Sequence, residues 1–149
     1  MKLLHSSLIL ILLGVAVAGC DENLADVAGP TPDLTPTFSS IQRDIFAAAD
    51  PSGRPACAEC HNPSGSAFRA VGLDMSAAGT FDSLVGVASR QKPTLLRVAP
   101  GDPDNSYLIH KLEGRTDIIG VRMPQRGPFL SAGQIAIIRR WIELGARRD

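Results

Sequence analysis

The sequence predicts a small all-α domain, and three observations carry that expectation. Four stretches between Phe38 and the C-terminus place apolar residues at helical spacing, helix start and stop signals flank them, and no stretch alternates long enough to make a convincing strand. At 149 residues, 44% of them hydrophobic, the chain supports one globular domain with a real core but is short for two. The first helix is expected from about Phe38 to Ala49. Thr37 is its N-cap, Phe38, Ile41, Ile45 and Ala49 share a face, and Asp50-Pro51-Ser52-Gly53 stops it. A second, weaker helix follows Ser76 and includes Phe81, Leu84 and Val85. The third begins at Asp102-Pro103, an N-cap followed by proline at the first helical position, and ends near Glu113 before Gly114. At about 100° per residue, Leu108, Ile109 and Leu112 share one side and His110 falls on the other, where a solvent-exposed histidine is expected. The fourth helix has a capping-box pair in Ser131 and Gln134, and Gly145 at its C-cap end. Ile135, Ile137, Ile138, Trp141, Ile142 and Leu144 fill an arc of about 180°, so this helix must pack broadly.

The formal net charge is +0, and the chain lacks the broad basic surface that phosphate backbones require, so nucleic acid is not an expected partner. Residues 1–19 carry one charge, Lys2, and an apolar stretch from Leu8 to Ala18 that is too short to span a bilayer comfortably. This pattern reads as a secretion signal. It ends in Val17-Ala18-Gly19-Cys20, which resembles the lipobox of bacterial lipoproteins. The resemblance implies that Cys20 becomes a lipidated N-terminus on the periplasmic side of a bacterial membrane, inner or outer, where several acyl chains anchor stably and one does so only marginally. The alternative is an ordinary signal peptide in which Cys20 is incidental. Residues 20–37, rich in Asp, Pro, Gly and Thr, read as a flexible tether spanning roughly 20–25 Å on average. The globular domain is then 38–149.

Two further cysteines stand as Cys57-Ala58-Glu59-Cys60-His61, the spacing that reads as a c-type haem attachment site. Two intervening residues in a helical turn let each sulfur reach one porphyrin vinyl group, and the next residue points its imidazole at the iron. His61 is then the proximal ligand. Other readings of these residues are a zinc site, which wants four ligands and finds only Cys57, Cys60, His61 and at most His110; a thioredoxin-like dithiol, which needs a βαβ unit; and a structural disulfide. A sixth ligand would make an electron carrier rather than an enzyme, whereas an open site would let small molecules bind iron. Met1 lies in the leader, Met75 is expected to pack, and His110 to face solvent. Met123 sits in Gly120-Val121-Arg122-Met123-Pro124-Gln125, an irregular segment between the last two helices that could wrap an open haem face. It is the expected distal ligand. Arg115, Arg122 and Arg126 lie near the expected haem edge and either steer an acidic redox partner or form a solvated loop face.

Over nearly all of residues 38–149 the chain resembles the planctomycete-type cytochrome c domain, a monohaem relative of class I cytochromes c. The residues that carry the likeness are Cys57 through His61, Val98-Ala99-Pro100-Gly101-Asp102-Pro103 with Ser106 and Leu108, Met123-Pro124, and Trp141-Ile142 with Gly145-Ala146. The resemblance implies a helical fold around one covalent haem c, with Cys57 and Cys60 as thioether attachments and His61 and Met123 as axial ligands. The expected function is a membrane-tethered electron carrier serving a redox donor and acceptor. Rival expectations are a five-coordinate haem enzyme or gas sensor, a thiol–disulfide lipoprotein, and a structural lipoprotein whose haem merely stabilises the fold. The Gly-Pro-x-Leu stretch usual after the haem motif of mitochondrial-type cytochromes is missing here.

Overall fold

A computed structural model describes residues 33–149; the signal segment, Cys20 and the tether up to residue 32 lie outside the described residues. Thr37 starts the first helix as its composition suggests, its hydroxyl accepting from the Ser40 amide. This helix, α1 (Phe38–Ile41), runs on into a π-helical turn over Gln42–Phe46 and stops there rather than at Ala49. The reason is Arg54. Its guanidinium is fully buried, pairs with the Asp50 carboxylate at 2.9 Å, and donates to the carbonyls of Ile45 at 3.0 Å and Ala48 at 3.3 Å. The carbonyls at the helix end are thereby satisfied without another turn.

Five more helices follow: α2 (Cys57–Cys60), α3 (Ser66–Val71), α4 (Thr80–Leu84), α5 (Tyr107–Glu113) and α6 (Ala132–Glu143). The fold class is all-α, as expected. The extended segments that do meet, such as Val85 with Val98 and Leu96 with Ser106, form only isolated bridges. Among the described residues no helix is long and apolar enough to cross a membrane.

Helix α6 is the central element. Ser131 and Gln134 close the expected capping box at 3.1 and 3.0 Å, and Ile138, Trp141 and Ile142 are almost wholly buried. Trp141 meets Phe38 with ring centroids 5.9 Å apart, and Phe38 meets Phe81 edge-on at 5.1 Å, so α6, α1 and α4 share one core. Each such side chain contributes roughly 1.5–3 kcal/mol by leaving water. The last residue joins in: Asp149 accepts from the Ser39 amide at 2.9 Å, at the start of α1.

Three further expectations need correction. Leu34, assigned to the tether, is buried in the core, so the chain just before Phe38 packs against the domain. The third helix starts at Tyr107, not at Asp102-Pro103. Asp102 does cap, but it caps a turn, its carboxylate accepting from the Asn105 amide at 3.1 Å, while its carbonyl accepts from the Ser106 hydroxyl at 2.8 Å. Finally, His110 is buried, not solvent-exposed. Its Nδ1 lies 3.1 Å from the Asp117 carboxylate and its Nε2 2.7 Å from the Asp104 carbonyl. The polar side of α5 is covered by its own flanking loops, which supply the histidine with partners that water would otherwise provide.

Candidate cofactor cavity

The Cys57-to-His61 pentapeptide forms the helical turn its spacing requires. Glu59 fixes the start of α2, its carboxylate accepting from the Ala56 amide at 3.1 Å. The His61 amide donates to the Cys57 carbonyl at 2.9 Å, and the His61 carbonyl accepts from the Met75 amide at 2.7 Å. The histidine backbone is therefore held on both sides. Its ring is not: Nδ1 is buried without a hydrogen-bond partner. Burial lowers its pKa, the Leu73 backbone opposes that, and the Lys111 and Arg97 charges lower it further. The imidazole is neutral at physiological pH, with a lone pair to offer.

Cys57 is half-buried and Cys60 exposed, and the two thiols are not joined. Burial pushes the Cys57 thiol up to about 11, with Arg54 opposing. A dithiol enzyme needs the reverse, a thiol whose pKa is depressed so that the thiolate can attack. Among the described residues no three His, Cys, Asp or Glu side chains converge as a metal cage of the kind a structural zinc uses. Axial ligation of a porphyrin iron takes only two protein donors and is not touched by that observation.

Cys57, Cys60, His61 and Met123 all line one cavity of about 680 Å³, within the range of roughly 300–1,000 Å³ typical of small-molecule sites. Its walls are mostly apolar, with Leu84, Leu108, Leu112 and Leu130 among them. Met75 also reaches the cavity, but it is a buried member of the core cluster, as expected of a packing residue. Met123 is half-buried and stands outside that cluster. Its segment is pinned to the end of α5. The Met123 amide donates to the Lys111 carbonyl at 2.9 Å, and Arg122 Nε donates to the Leu112 carbonyl at 2.7 Å. A second, more open hollow of about 330 Å³ beside Pro36 and Trp141 contains none of the four expected residues.

Of the three arginines expected near the opening, only Arg126 lines the cavity. Arg122 lies 4.1 Å over the Phe129 ring. Arg115 is spent elsewhere, paired with Glu113 at 2.7 Å and Asp104 at 3.2 Å beside Arg139. It is no free cation for a partner.

Two cavity residues escape a reading by pattern. Arg97 and Lys111 are both buried and both line the cavity. The available signal was a cation beside apolar neighbours: Arg97 within Leu95-Leu96-Arg97-Val98, and Lys111 within Leu108-Ile109-His110-Lys111-Leu112. Such a residue is either snorkelling or paired with something in the interior.

Fold and cavity together define a small all-α domain that encloses a mostly apolar chamber fitted with two thiols, an imidazole, two thioethers and several cations. Compared with protein-family models, with curated proteins and with solved structures, the chain matches none.

Proposed function

We propose that this chain is a small c-type cytochrome that carries electrons on the periplasmic side of a bacterial membrane, held there by lipid on Cys20. The observation that carries the reading is that Cys57, Cys60, His61 and Met123 border the same largely apolar cavity. The residues fit haem c in four respects. The thiols belong to one helical turn, the imidazole is neutral, the methionine comes from an irregular segment fastened by its own amide, and the walls are mostly apolar.

In this reading Cys57 and Cys60 would hold the porphyrin as thioethers, and His61 and Met123 would supply its iron with a nitrogen and a sulfur donor. When bound, haem iron supplies a one-electron couple, whose potential a thioether ligand raises relative to bis-histidine ligation. The protein's contribution is to hold its donors still. The Met75-to-His61 and Met123-to-Lys111 backbone bonds fix both ligand segments to packed elements, so little needs to move when charge changes.

A redox-difference absorption spectrum of the periplasmically matured, full-length protein tests this. The expected result is the sharp reduced-state bands of a low-spin haem c, with colour that acidified organic solvent does not extract. A colourless mature protein overturns it, and rapid carbon monoxide binding to the reduced form transfers the protein to the five-coordinate class.

A further inference from the structure

The cavity is lined by positive charge that no carboxylate among the described residues neutralises. Arg97 and Lys111 are each only 8% exposed, and neither has a carboxylate partner among the described residues. Arg97 instead donates to the carbonyls of Ser83 at 2.6 Å and Val71 at 2.8 Å, and Lys111 Nζ donates to the Ile119 carbonyl at 2.9 Å. A guanidinium has five N–H groups and an ammonium three, so both retain donors. Arg126 also lines the cavity, and no Asp or Glu does. Gln91 adds an amide at the same place: a side-chain carbon built at Gly120 would lie 3.9 Å from both Gln91 Nε2 and Lys111 Nζ, so these two donors converge. Desolvation acts against the charge on both cations, and an anion entering with a ligand would offset that cost.

We infer that Arg97 and Lys111, assisted by the Gln91 amide, seat the two carboxylates of an amphipathic occupant, which, given the haem reading above, are the porphyrin propionates. The pairing of shape and charge selects this chemistry. An apolar neutral ligand would fill the leucine-lined walls but leave the cations without a counter-charge. A phosphate or nucleotide would satisfy the cations but waste the apolar surface. A flat apolar ring system with carboxylates along one edge satisfies both, through charge-assisted hydrogen bonds from guanidinium and ammonium.

Resonance Raman spectra of the matured full-length protein provide the test, because thioether bonds retain the haem whatever happens at these side chains. In Lys111→Gln and Arg97→Gln the propionate-bending band should shift, while Lys111→Arg should keep it near its original position. Arg97 also braces Ser83 and Val71, so if Arg97→Gln does not fold, Lys111→Gln decides alone. A red wild-type protein whose propionate band is unmoved in Lys111→Gln overturns the carboxylate seat and leaves the haem reading standing. A colourless wild-type protein overturns the haem reading first, and this inference with it.

Discussion

The amide of Met123 donates to the carbonyl of Lys111 at 2.9 Å, which joins the loop that carries a thioether to the helix that carries a buried ammonium. Both side chains reach the same cavity, so one short backbone link ties together two groups that line it.

Met123→Ala removes the thioether but keeps that link. The variant should lose the sulfur-to-iron charge-transfer absorption, fall in midpoint potential and bind carbon monoxide when reduced. A spectrum identical to wild type would remove Met123 from the distal position.

Replacing Cys57 and Cys60 together by serine tests the attachment. Any colour retained by the double variant should pass into acidified organic solvent, whereas wild-type colour should stay with the protein. Colour that remains bound without either sulfur would mean that these thiols are not the points of attachment.

Acid stability should depend on Asp50. Burial pushes its carboxyl upward, but hydrogen bonds from Ser52 and Arg54 outweigh burial and hold its pKa below the ordinary carboxylate value. Since the folded value lies below the unfolded one, at about 3.9, the contribution is complete above that value. It disappears as pH falls from about 4 through the folded pKa. Asp50→Asn should cost about 2 kcal/mol at neutral pH by leaving a buried guanidinium poorly matched, and should flatten the acid limb. Urea midpoints measured at neutral pH and below about pH 4 check this; equal acid slopes for both proteins would refute it.

Leu34→Ala distinguishes a packed segment from a tether. With its side chain in the core, truncation should cost roughly 2 kcal/mol or more in denaturant unfolding. A change near zero would return Leu34 to the tether.

Much of this architecture was legible because local chemistry and tertiary packing agree. Ser131 and Gln134 cap α6 as their spacing requires, and the broad apolar arc of that helix becomes the core. The pentapeptide from Cys57 to His61 forms its turn because the motif is self-contained. Misreadings arose where a distant side chain took over a local bond. Arg54 reaches back to end the first helix, and the Asp104 and Asp117 loops fold over His110 and turn an apparently wet face into a dry one. Helix α3 had no apolar periodicity to announce it: it contains no buried residue and ends where Gly72 takes up a left-handed conformation with φ of 63°. The two cavity cations were hidden for a related reason. A pattern shows that a charge lies in an apolar run but cannot show which space the charge faces.

The contact between Phe38 and Trp141, together with Asp149 on Ser39, makes the beginning and the end of the domain each other's support. Long-range contacts of this kind form late, because the intervening chain must be gathered first. A growing polypeptide therefore exposes Cys57 and Cys60 well before the segment from Met123 to Leu130 can complete the cavity around them. The cavity wall is completed by a late segment of the chain, and on the haem reading proposed above that order would leave an interval in which a large rigid guest could be installed from outside.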